Sequence, residues 1–143
     1  MSSTTQRRLG TVVAAPLAAL AAWGVLRVAG VDLALENGHG TVGAADVVSA
    51  AVVGALLGWL VARLIEQRSR QPRARWALVG STALSVSMIG PAWLAIDGPT
   101  AVALMALHLV TGAVVIAGLA ATLPVRCARP ELPAARRSGT MSA

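Results

Sequence analysis

The sequence predicts an all-α fold, an integral membrane four-helix bundle with both termini cytoplasmic. Three observations predict it. Four apolar stretches, 11–29, 44–65, 76–96 and 100–123, divide the 143 residues. Each approaches the ~20 residues that a helix needs to cross a ~30 Å hydrocarbon layer. Composition agrees, with 56% of residues hydrophobic and 13% charged, where a soluble domain carries about 25% charge. Finally, the charge alternates. Basic residues cluster around Arg7-Arg8, around Arg63 to Arg75 and after Leu123, whereas Arg27 stands alone among Asp32, Glu36, Asp46 and Asp97 on the other side. Arg collects at cytoplasmic ends, so residues 1–10 form a cytoplasmic tail, 11–123 the membrane domain and 124–143 a second cytoplasmic tail.

All basic residues are Arg, and Lys, Phe and Tyr are absent. This bias, with abundant Ala, Gly and Val, points to a GC-rich bacterial genome and a multi-pass protein of the plasma membrane. The net charge of +6 suits anionic lipid headgroups at the cytoplasmic face. It does not suit nucleic acid, because the Arg residues lack the interleaved aromatics of a base-stacking platform. The single Cys127 forms no intrachain disulfide and no Cys-based metal cluster.

The first apolar stretch follows Arg7-Arg8. Its length exceeds the hydrophobic core of an export signal, so a retained helix is expected. Arg27, near its outer end, is expected to pair with Asp32, Asp46 or Asp97 in an ion pair that fixes the helix ends. The loop 30–43 holds Asp32, Glu36, Asn37 and His39, a mixture that invites a metal site. The spacing matches no ligand pattern, and a solvated loop with Gly-based turns is expected.

The second stretch carries Ala50, Gly54, Gly58 and Ala62, four apart and therefore on one face, which lets another helix approach closely. Ala55 is expected to look at lipid. The basic loop that follows contains Pro72, which blocks helix continuation. Trp59, Trp76 and Trp93 read as interfacial anchors.

In the third stretch, Pro91 lacks an N–H, so the Ser87 carbonyl loses its helical partner and a kink follows. Asp97-Gly98-Pro99 is a tight turn that makes the third and fourth stretches antiparallel neighbours. Depth counted from that turn puts His108 level with Ser87. These two, with Ser85 and Thr111, form the candidate intramembrane polar site. The expectation is an inward-facing His108 bonded to the third helix, since ionisable groups in the bilayer are costly and often functional. No Asp or Glu lies deep in a span to complete a proton relay, and no Ser–His–acid order, phosphate loop or metal motif appears. No catalytic residue, cofactor or metal is expected.

Three segments carry a resemblance: Gly30-Val31-Asp32-Leu33, Gly58-Trp59-Leu60, and the run His108-Leu109-Val110-Thr111-Gly112-Ala113-Val114-Val115-Ile116. The chain resembles a group of small actinobacterial four-span membrane proteins classed as a domain of unknown function, over about residues 30–124. Some of that group carry an OmpA-type or cell-envelope label. Such a label conflicts with helical spans, which are not alternating barrel strands. The resemblance implies a fold and no mechanism. The function expected is non-enzymatic: a packing, assembly or accessory subunit, as a homo-oligomer or with a membrane partner. The alternative is a small transporter or channel-like protein that uses the polar site between the third and fourth spans.

Overall fold

A computed structural model describes residues 3–31, 33, 40–95 and 97–125. Five helices follow in order: α1 (Ser3–Val28), α2 (Ala44–Arg68), α3 (Pro72–Ser87), α4 (Ile89–Leu94) and α5 (Gly98–Ala120). Three of them, α1, α2 and α5, are long and apolar enough to cross a membrane, with mean hydropathy 1.9, 2.0 and 2.3. The third apolar stretch is not one helix, contrary to the sequence expectation. It breaks at Met88, whose N–H reaches back to Leu84 and Ser85 at 3.2 and 3.3 Å. The cause is Pro91, which cannot donate to Ser87 and forces the ladder to restart one turn earlier. The 16 residues of α3 fall short of a bilayer by themselves.

Helix ends follow local chemistry. α1 begins at Ser3, so part of the expected N-terminal tail is helical. Pro16 lies inside α1 without ending it, as membrane helices tolerate when neighbours pack around the freed carbonyl. Gly30, at φ 79°, stops α1: Val31 N–H donates back to Leu26 at 3.0 Å, a closure that needs a left-handed residue. Pro72 opens α3 at a position where its missing N–H costs nothing. Asp97 caps α5, accepting from the Thr100 N–H at 2.8 Å.

α1 packs against both α2 and α5, while α3 and α4 lie along α5. With no Phe or Tyr, the helices meet through small residues. A Cβ on Gly118 would stand 2.6 Å from Thr11 of α1. One on Gly112 would stand 2.5 Å from Leu84 of α3, and one on Gly80 would stand 3.0 Å from Ile116. These close approaches supply the van der Waals contact that replaces a hydrophobic driving force between helices in lipid. Two buried clusters result. One gathers Ala15, Ala55, Ala62, Trp76, Val115 and Leu119, and the other Ala19, Leu33, Val47, Ala51, Leu104 and Leu107. Ala55 is 1% exposed, so the expectation that it faces lipid is wrong. The buried residues of α2 are Val47, Ala51, Ala55 and Ala62: the first three lie one residue round from the expected stripe, and Ala62 belongs to it.

Outside this core the surface is apolar. Leu17, Val25, Leu57, Leu60, Leu78, Val86, Val102 and Leu109 are all exposed, and Trp93 is 79% exposed. Contiguous apolar surface on this scale is foreign to a soluble monomer.

Candidate functional site

A groove of about 770 Å³ lies between α2, α3, α4 and α5. α2 forms one wall through Ala50, Gly54 and Leu57, and α3 and α4 form the other through Val79, Ala83, Ser87 and Pro91. The floor is α5, through Leu107, His108, Thr111 and Gly112. The groove exists because α3 leans on α5 through Gly80 and Gly112 and leaves the Ala50 and Gly54 face of α2 uncovered.

The small-residue stripe of α2 is therefore divided. Ala62 is buried, and a Cβ on Gly58 would meet Val115 at 3.0 Å and Trp76 at 3.5 Å. Ala50 and Gly54 open onto the groove, and nothing lies within 4 Å of where a Gly54 Cβ would stand.

His108, Ser87 and Thr111 share the groove lining, whereas Ser85 does not reach it. Each of the three bonds to its own helix. His108 Nδ1 lies 3.0 Å from the Leu104 carbonyl. The Ser87 hydroxyl donates to Leu84 at 2.7 Å, and the Thr111 hydroxyl donates to Leu107 at 2.8 Å. Among the described residues His108 makes no bond to α3. A backbone carbonyl one turn back, already in the helical ladder, accepts a second bond from each hydroxyl and faces the imidazole, and this back-bonding keeps the side chains satisfied without a neighbour.

Two of the expected partners of Arg27 serve helix ends: Asp46 accepts from the Gly43 N–H at 2.9 Å and Asp97 caps α5. The Arg27 guanidinium stands 6.0 Å from the Trp23 ring centroid, and Asp32 lies outside the described residues. So do Glu36, Asn37, His39, Cys127 and the tail beyond Val125. Among the described residues no group of three His, Cys, Asp or Glu side chains could hold a metal ion.

Composition and spacing gave no sign of a latch at the opposite end. Arg8 of α1 is 5% exposed and holds Glu66 of α2 at 2.7 Å. Its Nε also donates to the Thr122 hydroxyl, just after α5, at 3.1 Å. This joins the N-terminus, the α2–α3 connection and the end of α5 at one end of the bundle. The available signal was Glu66, the lone carboxylate in the basic run from Arg63 to Arg75. Trp76, expected at an interface, is instead buried and donates its indole N–H to the Ile116 carbonyl at 3.0 Å. Trp59 packs on the inner cluster with its indole nitrogen buried and unpartnered.

Fold and surface together define the class: an all-helical protein among its described residues, with three helices long and apolar enough to cross a membrane. The chain belongs to the family of unknown function DUF6069, whose model matches residues 1–125. No curated protein and no solved structure matches it.

Proposed function

We propose that this is a multi-pass plasma-membrane protein that works by helix packing, as a non-enzymatic assembly or accessory subunit. The groove between α2 and α3 takes one face of a transmembrane helix, from a second copy or from another membrane protein. The single observation that carries this is the open half of the α2 stripe. Ala50 and Gly54 present backbone to the groove with no neighbour in place, the surface that a closely crossing helix needs.

The broken third segment serves as the fourth crossing in this reading. Trp76 meets Ile116 and Leu84 meets Gly112, so α3 runs antiparallel to α5. The Arg8–Glu66–Thr122 latch puts the ends of α2 and α5 level, and the chain between them must travel the length of α5 to return. Arg7, Arg63, Arg68, Arg70, Arg73 and Arg75 belong to the latched end, which makes it cytoplasmic by the positive-inside rule. In a Cys127→Ala background an impermeant thiol reagent on spheroplasts then labels Thr41→Cys and not Arg70→Cys.

A second reading, a small transporter or channel-like protein, has one observation in its favour: His108, Ser87 and Thr111 line one groove. Their bonds run to their own helices, which favours a dry contact over a polar path. The test is a photoreactive side chain at position 54 in native membranes. It yields an adduct with another membrane protein chain, while the same group at the exposed Val25 yields none. No adduct at 54, or equal adducts at both positions, overturns the packing reading.

A further inference from the structure

A second, smaller cleft of about 300 Å³ lies between α1 and α5 at the latched end. Its walls are Gly10, Ala14, Val114 and Ala121, with Arg7 on its rim. We infer that this cleft is a binding site for one anionic phospholipid, with an acyl chain against the small residues and the phosphate on Arg7. The inference rests on the membrane crossing and on this end being cytoplasmic. It is independent of the groove between α2 and α3.

Three observations carry it. The cleft is apolar, and Gly10, Ala14 and Ala121 are exposed on the outside of the bundle. In a bilayer the molecule that meets such a surface is a hydrocarbon chain. Nothing lies within 4 Å of where a Gly10 Cβ would stand, so no side chain of the described residues fills the space. The depth has a cause: Gly118 and Thr11 pull α1 and α5 together below the cleft, while Gly10 and Ala14 add almost no side chain above it.

Charge chooses the headgroup. Of the adjacent arginines, Arg8 turns inward and is neutralised by Glu66. Arg7 is exposed, and among the described residues no carboxylate pairs with it. Arg63, Arg68, Arg70, Arg73 and Arg75 share this end of the chain with Glu66 as its one acidic residue before Val125. The local field favours a lipid with net negative charge over a zwitterionic one. Basic pockets between membrane helices on the cytoplasmic side hold acidic headgroups in this way.

The test is native mass spectrometry of the full chain, released from detergent with graded phosphatidylglycerol or phosphatidylcholine. The native protein is expected to retain one phosphatidylglycerol in preference to phosphatidylcholine. Arg7→Gln weakens retention about fivefold, the value of one headgroup-level Arg. Gly10→Leu fills the cleft and abolishes retention, and its thermal unfolding checks that the bundle survives. Arg73→Gln, at the same end but outside the cleft, leaves retention unchanged. Equal retention of both lipids overturns the inference. So does an effect of Arg73→Gln as large as that of Arg7→Gln, which would mean a diffuse field and no site. Should Gly10→Leu unfold the chain, the Arg7 and Arg73 comparison decides alone. Gly54→Leu, which blocks the other groove, retains the lipid, so failure of the packing reading and failure of this one are separable.

Discussion

Arg8 of α1 and Glu66 of α2 form an ion pair at 2.7 Å in which the arginine is 5% exposed and the carboxylate 32%. The inequality sets the outcome of mutation. Glu66→Leu leaves a buried guanidinium without its counter-ion, and the cost falls toward the lower end of the ~3–5 kcal/mol seen when a buried pair loses one partner. Arg8→Met leaves a carboxylate that water can reach, at about 1–2 kcal/mol. Thermal unfolding in detergent should rank them in that order, and the double variant should recover part of the loss.

Gly118 and Gly24 should respond in opposite directions to alanine. A Cβ at 118 meets Thr11 at 2.6 Å, and at 24 it meets nothing within 4 Å. Gly118→Ala pushes α1 from α5 and costs ~1–3 kcal/mol. Gly24→Ala gains ~0.5–1 kcal/mol from helix propensity. Thr11→Ala in the Gly118→Ala background restores most of the loss. A Gly118→Ala protein as stable as the native one would show that the helices do not approach this closely.

Substitution of His108 separates the two functional readings. Its ring bonds within α5 and lies on the groove, so His108→Leu should change stability by no more than ~0.5 kcal/mol. Under the packing reading it also leaves the position 54 adduct in place. Loss of a proton- or solute-dependent flux in proteoliposomes, with the fold intact, would favour the transport reading instead.

Asp97 supplies a pH dependence. Hydrogen bonds from Thr100, its side chain first and its backbone N–H second, hold the carboxyl below the ordinary value of 3.8. The group sits in the turn before α5, outside the long apolar helices. A depressed carboxylate stabilises the fold fully above the ordinary value. That contribution is lost as pH falls below 3.8 and through the folded value. Asp97→Asn, which also caps a helix N-terminus, should flatten stability against pH in this acid range and leave the neutral range little changed.

The polar residues show where sequence reading stopped. The depth count put His108 level with Ser87, and both do line one groove. Depth along a helix follows from a fixed rise per residue. Rotation about its axis does not, because an almost uniformly apolar segment has no polar face to define one. For the same reason the stripe Ala50, Gly54, Gly58, Ala62 was visible, whereas its division between an internal contact and an open groove was not. Ala55 was assigned to lipid, yet it is buried in the cluster with Ala15, Trp76 and Leu119.

What the sequence determined by itself is the set of apolar helices, the kink site at Pro91 and the collection of arginine at particular segment ends. These follow from local chemistry: hydrocarbon length, a missing N–H, and where charge falls along the chain. Tertiary structure alone decided that Arg8 reaches Glu66 and Thr122. It also decided that Gly112 and Gly118 are the points of closest helix approach. Each of those depends on which faces meet, and in a chain built of Ala, Gly, Val and Leu many rotations bury similar area. The choice among them rests on a few ångströms of fit between a glycine and the side chain opposite it.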